Sequence, residues 1–240
     1  MKNRLPIAFA ALLLLGALVC PKPPGPSRID PHRCFEHAFR AEAGPDSATS
    51  RRMRELIERN YTFSISGEDV VAGRKAWVLG IRPKIKQRPW RQLWIDRKTF
   101  QILALRDWSH AGKLKRSAKS PAVRPELVEG LGAASDKQSA AKARCGRVLA
   151  PGYVPPGFEL AEVRASAEHE WSRIVYSDGL YAISLFQRFP DRLSWEHKHA
   201  IAVYDWGGGL LLSTFCAGRQ VAVLADLPRH ELERIAASIR

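Results

Sequence analysis

The apolar positions change period along the chain, and each change marks an element. In "PDSATSRRMRELIERN", Met53, Leu56 and Ile57 recur at helical spacing behind the capping candidates Ser47 to Ser50, which predicts a helix. In "YTFSI" the period drops to two, with Tyr61, Phe63 and Ile65 on one side. "DVVAGRKAWVLGIRP" reads as two strands around the turn Ala72-Gly73-Arg74-Lys75. "RQLWID" and "FQILALRD" form a further pair joined across Arg97-Lys98-Thr99. Together they predict a small antiparallel meander with a helix covering one face.

From Lys113 to Arg144 the periodicity fades into a stretch rich in Lys, Ser and Ala, which reads as a linker or surface insertion dividing the chain. Beyond it, short strands are predicted at 158–163, 171–176, 181–187, 199–204, 210–215 and 220–224. The triplet Ser177-Asp178-Gly179 has the chemistry of a tight hairpin, because Asp and Gly tolerate left-handed conformations. Gly207 to Gly209 mark another turn. The chain closes with "DLPRHELERIAASIR", where Leu232, Ile235, Ala236 and Ile239 line a helix face after Pro228. The predicted class is α+β: a small antiparallel sheet with a helix, a linker, then a second antiparallel sheet with a terminal helix. The boundaries are 1–20 for a signal segment, 21–45 for a Pro-rich tether, 46–115 for the first module, 116–147 for the linker and 148–240 for the second module.

The first twenty residues change the picture of where the protein works. Lys2 and Arg4 precede an apolar run from Leu5 to Val19 that stops at Cys20, the pattern of a secretory signal. Three endings are open: lipidation at Cys20 ahead of the stiff "PKPPGPSR" tether, ordinary cleavage, or an uncleaved anchor. All three export the body of the protein, so its place is the periplasm, with membrane association through the N-terminus where Cys20 is lipidated. Export gives meaning to the formal charge of +14, from 38 basic and 24 acidic side chains. Such a surface attracts anionic lipid, lipopolysaccharide or an acidic protein; nucleic acid is excluded by location. Among the cysteines, Cys145 with Cys216 is the preferred disulfide, closing a loop of roughly 70 residues for about 4 kcal/mol of chain-entropy stabilisation. The alternative is that these are small buried apolar residues.

Catalytic chemistry is sparse. The chain has no Gly-rich phosphate loop, no serine elbow motif and no paired-cysteine zinc spacing, so it is expected not to be an enzyme and to need no cofactor. "HKH" sets His197 and His199 on one side of a strand without a third ligand, and "CFEH", Cys34 to His37, is a weaker metal pattern still. In "RPWRQLW", Arg88, Trp90 and Arg91 could present an exposed indole between guanidinium groups to lipid or an acidic peptide. The alternative buries Trp90 and Trp94 and leaves the arginines solvated.

Taken in order, "VVAGRKAWVLGIRPK", "RQLWIDRKTFQILAL", "VPPGFEL", "VYSDGLYAISLF" and "VAVLADLP" resemble the MucB/RseB family of periplasmic regulators of the sigma-E envelope-stress system. The resemblance covers roughly 55–115 and 150–240. It implies a first domain similar to the lipoprotein carriers LolA and LolB, a half-barrel with an apolar concave face, followed by a smaller α+β domain. It also implies a membrane-bound anti-sigma factor of the RseA/MucA kind as partner, with lipid or lipopolysaccharide as a further ligand. About 40 residues separate the tether start from Tyr61, so the first domain is expected to be shortened and its half-barrel partial. The docking residues expected are Tyr176, Asp178, Leu180, Phe186 and Trp206, with an exposed strand edge available for strand addition. Two other readings are a lipid or lipoprotein carrier, and a secreted hydrolase built on Ser177 or on His197 and His199.

Overall fold

The structure, a computed structural model, describes residues 29–43, 47–119, 148–166, 171–188, 201–205, 209–216 and 218–240. The signal segment with Cys20, most of the linker, Cys145, His197, His199 and Trp206 lie outside these residues.

The first module begins with α1 (Pro31–Ala43) and α2 (Ala48–Asn60). Ser47 caps α2, its Oγ accepting the Ser50 N–H at 3.0 Å, as the capping pattern required. A five-stranded sheet follows in simple meander order: β1 (Tyr61–Val71), β2 (Arg74–Pro83), β3 (Trp90–Asp96), β4 (Ile102–Trp108) and β5 (Leu114–Lys119). Between β1 and β2 the chain turns on Ala72 and Gly73, both at positive φ (48° and 76°), which suits a two-residue hairpin to the twist of its strands. Cys34, Phe35 and Ala38 of α1 join Met53 and Ile57 of α2 in covering Tyr61, Leu79, Ile81, Leu93, Ile95 and Leu105. On the opposite face Val78, Trp94 and Leu103 form a smaller buried cluster.

Two expectations need correcting here. The tether drawn over 21–45 contains α1, whose apolar stripe is part of the first core, so two helices cover the sheet. The linker drawn from 116 begins inside β5, a mostly exposed strand held by its pairing with β4.

The second module is a six-stranded antiparallel sheet in the order β6-β7-β8-β11-β10-β9. Its strands are β6 (Glu159–Ser166), β7 (Trp171–Ser177), β8 (Ala182–Arg188), β9 (Ala202–Asp205), β10 (Leu210–Cys216) and β11 (Arg219–Ala225). Helix α3 (Arg229–Ala237) lays Leu232, Ile235 and Ala236 on Leu212, Val221 and Val223, with Ile239 following. Cys216 has a free thiol among the described residues, its Sγ–H donating to the Ile239 carbonyl at 3.0 Å; Cys145, the partner expected for a bridge, lies outside the described residues. The predicted α+β class and its two antiparallel sheets are what the structure has.

Candidate functional site

The hairpin between β7 and β8 is where the two modules meet. Asp178 is only 4% exposed. Its Oδ1 accepts the N–H groups of Leu180 (3.0 Å) and Tyr181 (2.8 Å), which folds the turn on itself. Its Oδ2 accepts the Tyr61 hydroxyl at 2.6 Å, from the first residue of β1 in the other module. Burial pushes the Asp178 carboxyl up, while the bonds from Tyr61, Tyr181 and Leu180 pull against it. Burial likewise raises the Tyr61 phenol well above its ordinary range, with the Asp178 charge adding to it.

Gly179 sits at φ +101° directly against α2: a Cβ there would lie 2.6 Å from Ile57 Cγ1 and 2.8 Å from Ile57 N. Leu180 and Tyr181 pack into the core of the first module. Asn60 closes the seam, its Nδ2 donating to the carbonyls of Gly157 (2.8 Å) and Asp178 (3.0 Å).

Beneath the hairpin lies a buried ion pair. Arg91 of β3 grips Asp107 of β4 in bidentate fashion, Nε to Oδ1 at 2.6 Å and a terminal nitrogen to Oδ2 at 3.1 Å. The Tyr181 hydroxyl donates to the same Asp107 at 3.3 Å, and the guanidinium lies 5.8 Å from the Tyr181 ring. Further out, Glu159 is paired with Arg52 and Arg59 of α2. Asp226, at the end of β11, meets His110 Nδ1 and Lys115 Nζ, each at 2.8 Å. The modules are thus stitched at the tip, along one helix and at one strand end.

These positions revise the expected sites. Tyr176 and Asp178 are buried and Leu180 is inserted into the first module, so this hairpin is a joint and not a free docking face. Phe186 is half-buried under the Arg173 guanidinium, at 5.5 Å. Arg88 and Arg91 do not flank an exposed indole. Arg88 is buried with its guanidinium 5.2 Å from the Phe158 ring and one terminal nitrogen without a hydrogen-bond partner; Arg91 is spent on Asp107. Trp90 stacks on Trp108 at 3.8 Å and 2°, capped by Arg82, while Trp94 is buried. The Ser177 hydroxyl, fully buried, donates to the Tyr181 carbonyl and accepts from Gly179 N–H, which leaves it no nucleophilic role. Between α1 and the sheet, walled by Phe35, Phe39, Ile81, Leu93 and Leu180, the cavity holds about 40 Å³. Small-molecule sites run from about 300 Å³, so this space is filled by α1 and the hairpin instead of being open to an acyl chain.

Two helix-backed antiparallel sheets locked by a buried hairpin make a two-module α+β scaffold. Residues 37–112, from the second half of α1 through β4, match the family model of the MucB/RseB N-terminal domain. The fold is similar to a crystal structure of MucB in complex with MucA(peri), with TM-score 0.53 and 25% identity over 77% of this chain and 69% of that one. It is also similar to the MucA/MucB complex structure of Pseudomonas aeruginosa, with TM-score 0.53 and 24% identity over 78% of this chain and 66% of that one. The chain thus spans about two thirds of the length of those MucB chains. No curated protein matches it. Residues 37–112 thus match the MucB/RseB N-terminal domain, and the fold over most of the chain is similar to that of MucB.

Proposed function

We propose that this protein is a periplasmic, non-enzymatic regulator that binds the periplasmic region of a MucA-like membrane anti-sigma factor and thereby modulates an envelope-stress sigma-factor response. The observation that carries this reading is the likeness, over 77% of the chain, to MucB in complex with MucA(peri). The charge of +14 supports it by steering association with acidic segments of a partner.

Because the hairpin is committed to the joint, docking falls to another part of the second module. Strand β9 is the outermost strand of its sheet, paired on one side with β10. Ile201, just before it, and Tyr204, within it, are 55% and 57% exposed, an apolar rim on a strand that pairs with no strand on its other side among the described residues, which suits strand addition. The carrier reading has less support, since the cavity under α1 is about 40 Å³.

The test is calorimetric titration of the exported chain with the periplasmic segment of its host's anti-sigma factor. Binding is expected, weakened at least tenfold by the pair Ile201→Asp and Tyr204→Asp with the thermal melt unchanged. Absence of binding by the wild-type chain overturns the partner, and full binding by the pair moves the docking surface off β9. A sigma-dependent reporter that stays flat on deletion of the protein removes the regulatory part.

A further inference from the structure

Helices α1 and α2 bring a histidine and two glutamates together on the surface of the first module. His32 and Glu36 stand four residues apart on α1, and so on one face of it. Glu58 projects from the last turn of α2 to meet them. The ligand-capable atoms of the three lie within 4.8 Å of one another, and His32 Nε2 is 3.6 Å from Glu58 Oε1. Donors around a tetrahedral zinc ion at ~2.0–2.1 Å sit roughly 3.3 Å apart, which small rotations of these partly exposed side chains supply. The imidazole is already oriented: its ring stands edge-on to Phe63 at 5.5 Å and 90°, and Phe63 stacks on the buried Phe35 at 4.6 Å.

The charge balance around the cluster favours a cation. In a chain with 38 basic and 24 acidic side chains, Glu68, Asp96, Asp107 and Glu159 are each closed by arginine. Glu36 and Glu58 form no ion pair with lysine or arginine among the described residues. Lys84, which reaches this end of α2, donates instead to the main-chain carbonyls of Glu58 (3.0 Å) and Arg59 (2.9 Å). Two carboxylates therefore converge on one imidazole with no side-chain cation between them.

We propose that His32, Glu36 and Glu58 bind a divalent transition ion of the zinc class, with water completing the open side, and that the ion pins α1 to α2. One imidazole and two carboxylates suit zinc and its neighbours, whereas magnesium and calcium take oxygen ligands. The consequence is mechanical. Helix α1 covers the apolar face of the first sheet through Cys34, Phe35 and Ala38, and a metal crosslink to α2 holds that cover in place.

The test titrates zinc sulfate into the metal-free exported chain, read by calorimetry, thermal melting and amide exchange of α1. One zinc ion is expected at this cluster, with a rise in Tm of about 5–10 °C at a hundredfold excess over Kd. Slower exchange in α1 should accompany it, and magnesium should do nothing. His32→Ala and Glu36→Gln should each weaken binding at least tenfold while leaving the metal-free melt in place. The pair His197→Ala and His199→Ala, which removes the competing "HKH" stretch, should leave the site intact. Zinc binding that survives His32→Ala, that disappears with the His197 and His199 pair, or that leaves α1 exchange unchanged overturns the proposal.

Discussion

The bond between Tyr61 and Asp178 carries a prediction that can be worked from the structure. Both residues are buried, at 2% and 4% exposure, and their oxygens are 2.6 Å apart, within the range of a charge-assisted O–H···O bond. A hydrogen bond to a charged group contributes about 1.5–3 kcal/mol, so Tyr61→Phe should cost about 2 kcal/mol. For a chain of this length that lowers Tm by about 4–8 °C. Asp178→Ala should cost more, about 3 kcal/mol, because it also orphans the Leu180 and Tyr181 N–H groups. Urea unfolding of wild type, both single variants and the double variant closes a thermodynamic cycle, in which a coupling of about 1.5–3 kcal/mol is expected. The pH dependence gives a second handle. Burial raises the folded carboxyl above its unfolded value, so the buried charge costs stability at neutral pH and the cost is relieved as pH falls through the raised pKa. Losing the Tyr61 hydroxyl raises the carboxyl further, so the deficit of Tyr61→Phe should be largest at neutral pH and shrink on acidification. Additive single variants, with coupling below about 0.5 kcal/mol, or a deficit that grows in acid, would refute this account of the joint.

Gly179→Ala should destabilise by at least about 2 kcal/mol, from its left-handed φ and the collision with Ile57, whereas Gly218→Ala, at φ +73° with nothing within 4 Å, should cost only about 1 kcal/mol in the same melts. Arg91→Met should cost about 3–5 kcal/mol by leaving Asp107 buried and uncompensated, and adding Asp107→Leu should recover part of that loss in urea unfolding. Burial alone would raise the Asp96 carboxyl, but the N–H groups of Thr99 and Lys98, the Thr99 hydroxyl and Arg74 outweigh it and hold it below its ordinary value. Its contribution is therefore present above the unfolded pKa of about 3.9 and lost as pH falls through the folded one; melts of wild type between pH 6 and 3 should show a loss that Asp96→Asn lacks.

Much of the fold could be read from local pattern. The alternation of Tyr61, Phe63 and Ile65, the turn at Ala72 and Gly73, and the apolar stripe of the last helix are each written within a few residues. Helix α1 was hidden by its setting: its stripe of Cys34, Phe35 and Ala38 follows a Pro-rich run, and Pro31 reads as more tether although it is the first helical residue. Strand β5 carries one large apolar residue, Leu114, itself 55% exposed, so its pairing with β4 makes it a strand and its own pattern does not. The turn at Ser177-Asp178-Gly179 was legible as a turn, but its partners were not, since Tyr61 stands 117 residues away. A signal was present all the same: Leu180 and Tyr181, bulky residues directly after a tight turn, are what a hairpin needs in order to insert its tip into another core. The same distance hid the fate of Arg88 and Arg91, whose neighbours suggested a surface grip.

The joint constrains how any partner can be engaged. Separating the modules would bring Asp178, Arg91 and Asp107 out together, pull Leu180 and Tyr181 from the first core, and break the pairs at Glu159 and Asp226. The hydrogen bond to the Asp178 carboxylate and the burial of a large side chain such as Leu180 are each worth about 1.5–3 kcal/mol, together a large share of the roughly 5–15 kcal/mol that holds a whole domain. A partner that wedged between the modules would have to replace all of these contacts. One that added a strand beside β9 would leave them untouched. The sheets therefore act as one body toward a partner, and variants of the hairpin should change the stability of that body before they change what it binds.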